Sequence, residues 1–358
     1  MLNATTSPAN FHPKPGSLAM SHPRVPALSC SCSPFPSPLG HHDRRTFLQA
    51  TGAALAAISS TGYAQASQAA ASTEFPIACM TLPYQNFPWQ RALQGIQAAG
   101  FRYVALGTTH RQPSAEKGIP LLAAEASLDQ ARVLGQECRD HGLTPLMMFS
   151  MIYPEHPQAL TILTHRLKQA AAAGIGQVLT FGHTQGGNRR LWVDRFRQLG
   201  PIARDLNVLL VVKQHGGETG TGEACAEIIR EVGDAGIKVN YDAGNVMDYL
   251  NVDPVADIAK CRDEVYSFCM KDHRNWPKDE DCAPGLGQID HYRLLHSVAY
   301  QGRAIPLCCE NLAWPLLPRP QTPEGIDEQA RRTRLFLETV IAGLQQLPAE
   351  MPHQTNRS

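Results

Sequence analysis

The runs Val178-Leu179-Thr180-Phe181, Leu209-Leu210-Val211-Val212-Lys213 and Lys238-Val239-Asn240-Tyr241-Asp242 decide the fold. Each is short and mostly apolar, as a strand buried on both faces must be. Between the first two lies a segment with Val193, Phe196 and Leu199 at three-residue spacing, the period of an amphipathic helix. Strand, helix and strand repeating about every 30 residues is the unit of a parallel sheet.

The unit recurs outward in both directions. Strands are expected near Pro76–Met80, Tyr103–Leu106, Leu146–Ser150, Val178–Phe181, Leu209–Lys213, Lys238–Asp242, Val265–Lys271 and Pro306–Glu310. Leu93, Ile96 and Gly100 mark the first helix, and Leu160, Leu163 and Leu167 the third. Asp253-Pro254 and Thr322-Pro323 read as an N-cap plus a first-turn proline, opening the sixth and eighth helices. Eight such units close an α/β TIM (β/α)8 barrel, expected over residues 75–347. The rival, an open doubly wound sheet, would carry a Gly-rich phosphate turn after its first strand. Here that position reads Met80-Thr81-Leu82-Pro83-Tyr84.

Composition narrows the function classes. The 358 residues carry 32 basic and 32 acidic side chains, so the chain lacks the basic excess that nucleic-acid binding needs. With 43% hydrophobic residues it can bury a large core. The mature chain shows no uninterrupted apolar run of roughly 18 residues, so no transmembrane segment is expected there. Residues 1–42, rich in Pro, Ser and His, read as a disordered leader. Residues 43–66 hold Arg44-Arg45, a mildly apolar stretch and Ala64-Gln65-Ala66, which together resemble a twin-arginine (Tat) export signal. Met20 is a second candidate start. The expected partner is then the Tat machinery and the expected location the periplasm. Residues 67–74 read as a linker and 348–358 as a flexible tail. Eight cysteines lie beyond the leader, none in a CxxC pair, which argues for buried thiols over a zinc ribbon or disulfide framework.

In a TIM barrel the active site forms at the carboxyl ends of the strands. The second strand delivers His110 there, the third Ser150 and Tyr153, and the fourth His183. The fifth delivers Lys213, Gln214 and His215, and the sixth Asp242 and Asn245. Lys271, Asp272 and His273 follow the seventh, and Glu310 and Asn311 the eighth. Such a mouth suits a polyhydroxylated small molecule. Trp89, Tyr153, Trp276 and Trp314 lie in the same loops, available to stack on a sugar ring or cover the rim.

Five runs carry a family resemblance: Val211-Val212-Lys213-Gln214-His215-Gly216-Gly217, Asn240-Tyr241-Asp242-Ala243-Gly244-Asn245, Met270-Lys271-Asp272, Gly285-Leu286-Gly287-Gln288-Ile289-Asp290 and Glu310-Asn311. In this order the chain resembles the xylose isomerase-like sugar phosphate isomerase/epimerase barrels. The resemblance implies a carbohydrate or polyol substrate and a divalent metal held by carboxylates of the fifth and eighth strands plus Asp and His of the sixth and seventh. It also implies that the metal-bound carboxylates move a proton between adjacent carbons.

Asp242 and Glu310 stand at the expected sixth- and eighth-strand ligand positions. Lys213 stands at the fifth-strand carboxylate position, and the seventh-strand His position falls near Cys269, with His273 four residues on. An ammonium about 4 Å from a divalent ion is repelled by about 8 kcal/mol at an effective dielectric of 20, so Lys213 does not replace a ligand. The expectation is a divalent metal such as Mn, Zn, Co or Mg, held by Asp242, Glu310, His215 and His273 and assisting the reaction, with metal-free chemistry as the alternative.

The catalytic expectation rests on Lys213, Glu310 and His215, with Glu310 as general base. Lys213 is open to four roles: base, Schiff-base nucleophile, protonated group polarising a carbonyl, or structural ion-pair partner of Asp242 or Glu310. His110, His183, Asn245, Lys271, Asp272 and Trp314 are the expected substrate-binding residues. The expected activity is an isomerase or epimerase. A lyase on oxidised sugars and a catalytically decayed carbohydrate-binding barrel are the alternatives.

Overall fold

The computed structural model describes residues 71–112, 117–150 and 152–344; the leader, the twin-arginine segment and the tail lie outside them. Eight parallel strands close a barrel: β1 (Ile77–Met80), β2 (Tyr103–Leu106), β3 (Thr144–Phe149), β4 (Gln177–Phe181), β5 (Leu209–Lys213), β6 (Ile237–Tyr241), β7 (Val265–Met270) and β8 (Leu307–Cys309). β1 pairs with both β2 and β8, which completes the ring. Each strand falls where its apolar run predicts, because a strand covered on both faces must be apolar at nearly every position.

Helices α1 (Trp89–Ala98), α2 (Leu128–Asp140), α3 (Ala159–Ala173), α4 (Arg189–Asp205) and α5 (Gly222–Val232) follow β1 to β5 in turn. Gly100, read as part of the first helix face, lies past its end with φ +87°, a conformation glycine adopts without strain. Two helices follow β6, where the sequence showed one. α6 (Ala243–Leu250) begins directly at Asp242, whose carboxylate accepts from the Asn245 amide, and α7 (Pro254–Cys261) opens at the expected Asp253 cap. α8 (His291–His296) precedes β8, and α9 (Pro323–Leu344) opens at the expected proline. Among the described residues no helix is long and apolar enough to cross a membrane. All eight described cysteines are free and buried.

Thr73 and Glu74, read as the end of a linker, are tied to the barrel. Their amides donate to the carbonyls of Ala299 and Arg303.

Two apolar layers result. The larger lies between the barrel and its helices and includes Leu93, Leu163, Phe196, Ile229 and Leu337. The smaller fills the barrel itself, with Met80, Met147, Phe149, Leu179, Phe181, Val211, Cys269 and Cys308. Asn240 is its polar member, donating to Ser267 Oγ at 2.8 Å. Alternate residues of a strand share a face, so the residues two places after Val211, Asn240, Cys269 and Cys308 are aimed at the same axis, one layer higher. Those residues are Lys213, Asp242, Lys271 and Glu310.

Candidate active site

The four side chains meet at the barrel mouth. Lys213 Nζ lies 3.0 and 3.2 Å from the two carboxylate oxygens of Glu310 and 3.3 Å from Asp242 Oδ2. Lys271 Nζ lies 3.4 Å from Asp242 Oδ2, 3.4 Å from Glu310 Oε2 and 3.2 Å from Asp281 Oδ2. Each of the two central carboxylates therefore touches both ammonium groups. Lys213 also sits over the rings of Phe149 and Phe181, at 5.4 and 5.8 Å from their centroids, which adds cation–π attraction on the barrel side. Gly244 lets Lys271 reach the cluster. A Cβ there would fall 2.7 to 3.0 Å from the lysine's methylene stem.

Burial sets the protonation states. It pulls both lysines down, but the carboxylates outweigh it and hold both well above the ordinary lysine value. The paired carboxylates favour the ammonium form of Lys213, in which it stabilises negative charge at the mouth. Burial pushes Glu310 up, and Lys213 and Lys271 overcome it, keeping the carboxyl ionised well below the usual range. Asp242 is pushed up to about 6, chiefly by burial, with the two lysines pulling against it.

Lys271, Glu310 and Asp281 line an open cleft of about 590 Å³, together with Arg111, Asn311 and Arg319. Asp242 is fully enclosed beneath them. Of the four central groups, Lys271 and Glu310 are thus the pair that lines the cleft.

The other predicted residues divide. His215 packs on Phe181 and Tyr249, and its Nδ1 pairs with the Gly182 carbonyl oxygen at 2.9 Å. Burial and then Lys213 push it down to about 4, so at neutral pH the ring is uncharged and offers Nε2 as an acceptor. His183 stacks on Tyr153 with ring centroids 4.0 Å apart. His110 is fully buried, with Nδ1 on the Phe87 carbonyl, and so supports Phe87 in the cleft wall. Asn245 donates its side-chain amide to Gln214 O at 2.6 Å and holds the β5 and β6 ends together. Trp314 is 36% exposed and lies outside the cleft lining.

Asp272, expected to bind substrate, is occupied elsewhere. Its oxygens accept from the amides of His273, Gly285 and Ile289 and pair with His291 Nε2 at 3.2 Å. The Gly285-Leu286-Gly287 turn wraps this carboxylate, since a Cβ on Gly287 would fall 2.3 Å from Asp272 Oδ1.

His273 faces a different neighbourhood again. It lies on a two-stranded antiparallel ribbon, Asp272–Arg274 paired with Glu280–Cys282, and contacts Asp281, Asn275 and Asp279. Burial pulls its pKa down, and Asp281 outweighs it and raises it. The four expected metal ligands accordingly do not converge. Among the described residues, the groups with ligand atoms within 4.8 Å of one another are Asp242, Cys269 and Glu310, and separately Asp248, His273 and Asp279. His215 belongs to neither group.

Asp281, Arg111 and Arg319 were not visible as site residues in the sequence. Asp281 reaches Lys271 only because the ribbon places it opposite His273, and nothing in a local run marks that pairing.

A sequence profile of the xylose isomerase-like TIM barrel matches residues 93–335, most of the chain. The chain belongs to that family. Among solved structures, a xylose isomerase-like barrel protein from Mycobacterium smegmatis in complex with magnesium is 17% identical, with a TM-score of 0.58 over 74% of this chain and 97% of its own. A D-psicose 3-epimerase solved in the presence of D-fructose is 14% identical, with a TM-score of 0.55 over 75% of this chain and 100% of its own. A fusion of such a barrel with a 4-hydroxyphenylpyruvate dioxygenase is 18% identical, with a TM-score of 0.59 over 79% of this chain. The chain spans 46% of that fusion's length. No curated protein matches. At these identities the likeness to solved structures is one of fold.

At the mouth, the carboxylates of the Asp242, Cys269 and Glu310 group that could hold a metal are already paired with ammonium groups. An ion among Asp242, Cys269 and Glu310 would share its carboxylates with two ammonium groups already 3.0 to 3.4 Å from them. At about 4 Å and an effective dielectric of 20 each ammonium would repel it by about 8 kcal/mol, which offsets the attraction of one carboxylate.

Proposed function

We propose that this protein is a sugar isomerase or epimerase that moves a proton on the carbon beside a carbonyl. The observation that carries the reading is the Lys271–Glu310 contact on the cleft surface, an ammonium and an ionised carboxylate 3.4 Å apart. A carbonyl oxygen accepting from Lys271 loses electron density, which acidifies the adjacent C–H. Glu310 is the ionised carboxylate beside that carbon; its two ammonium partners weaken it as a base, so a contact to Lys213 or Lys271 lengthens as it takes the proton. The charge that develops on the oxygen meets Lys271, with Lys213 behind it in a site of low dielectric, where electrostatic stabilisation is strongest. Reprotonation at the neighbouring carbon, with that carbon's hydroxyl proton passing to the former carbonyl oxygen, gives isomerisation; reprotonation of the same carbon from the opposite face, by a donor such as water rather than by Glu310, gives epimerisation. The epimerase relative supports the substrate class. The twin-arginine segment supports export, and an exported enzyme would meet unphosphorylated sugars.

Ketoses and aldoses incubated with the enzyme in D2O provide the test. The expected result is solvent deuterium on the carbon beside the carbonyl in recovered sugar, abolished by Glu310→Gln. Loss of a leaving group from an oxidised sugar would move the assignment to a lyase. Saturable sugar binding with neither exchange nor turnover would overturn the enzymatic reading.

A further inference from the structure

We propose that the two buried ammonium groups of Lys213 and Lys271 take the place of a divalent cation at the barrel mouth, so that this barrel holds no metal at Asp242 and Glu310. Together the lysines supply the same two positive charges, placed between the same carboxylates. Lys213, 4% exposed and hydrogen-bonded to both oxygens of Glu310, fixes that carboxylate as a structural cation would. Lys271, which lines the cleft, is the member that presents N–H donors to a substrate oxygen, the position an open metal coordination site would take. Asp242 Oδ2 lies within 3.4 Å of both ammonium nitrogens and accepts no conventional hydrogen bond. It neutralises the pair from below. Replacing an ion by fixed side chains also changes what can be removed: chelation strips a metal, whereas the lysines are covalent parts of the fold.

The inference holds independently of the isomerase reading, because its readout is metal binding. Elemental analysis and Mn2+ electron paramagnetic resonance titration are performed on the full chain and on Lys213→Glu. The native protein should show no Mn2+ site that depends on Asp242 and Glu310, with any affinity there weaker than about 1 mM. Lys213→Glu removes one ammonium and adds a carboxylate, and should gain one Mn2+ site at least about 100-fold tighter. Asp242→Asn in that background should abolish the gain.

A stoichiometric metal in the native protein that is lost on Glu310→Gln would overturn the proposal. So would native Mn2+ binding as tight as that of Lys213→Glu. A metal that survives Asp242→Asn but leaves on His273→Ala sits on the ribbon and supports the proposal. If Lys213→Glu does not fold, the native titration with Asp242→Asn and Glu310→Gln decides alone, and a site common to neither substitution again supports it.

Discussion

Asp242 and Asp272 look interchangeable in the sequence. Each follows a barrel strand inside a family-like run, and both are fully buried. Their surroundings are opposite. Asp242 lies two residues after Asn240 of the barrel interior, so it faces the axis and meets Lys213 and Lys271. Asp272 lies beyond the end of β7 and opens the antiparallel ribbon. There it meets backbone amides and His291. Burial raises both carboxyls, and the partners decide the outcome: Asp242 ends near 6, while His291 and the amides bring Asp272 below its ordinary value. One aspartate belongs to the mouth's charge cluster and the other organises a loop.

The largest effect that distinguishes them is on stability. Asp272→Ala leaves buried donors on Gly285, Ile289 and His291 without their acceptor and should lower stability by about 3 to 5 kcal/mol. Urea denaturation measures it, and a loss below about 1 kcal/mol would break the comparison.

Asp242→Asn should act mainly on turnover. It keeps the shape but removes the charge that positions both lysines, and kcat/KM should fall about 100-fold, or about 2.7 kcal/mol. Steady-state kinetics beside a denaturation curve tests this. A fall in stability without a fall in turnover would make Asp242 a second loop organiser.

The glycines beside the two aspartates should differ in the same sense. At Gly287 an added Cβ would meet the His273 carbonyl oxygen at 2.4 Å, and backbone cannot yield, so Gly287→Ala should cost about 1 to 3 kcal/mol. At Gly244 it would meet only the Lys271 stem, which can shift. Gly244→Ala should therefore melt within a few degrees of the native protein while turning over more slowly.

The smallest effect is in the pH dependence of stability, where the two carry opposite signs. Asp242 holds its proton more tightly when folded, so its contribution is lost as pH rises from its ordinary 3.8 to about 6. Asp272 holds its proton less tightly, so its contribution is present above the ordinary carboxylate range and is lost as pH falls through its folded value. Denaturation curves across this range should show Asp242→Asn lacking the first slope and Asp272→Asn lacking the second. Identical slopes would mean that the partners do not control the two groups.

Much of this was legible in the sequence. Eight apolar runs announced the strands, and the strand-end positions held Lys213, Asp242, Lys271 and Glu310. His273 and His215 were misplaced as shared ligands because both lie beyond their strands, where the two-residue period no longer fixes direction. Asp281 was invisible, since a ribbon rather than a strand end brings it to Lys271.

By itself the sequence determined the barrel and the identity of the groups at its mouth, because periodicity and burial are properties of neighbouring residues. Only the tertiary structure decided which charges meet. Lys213 and Glu310 are 97 positions apart, and their contact exists because the ring of strands closes. Whether a buried carboxylate faces a metal, an ammonium or an amide depends on groups that no local pattern connects to it.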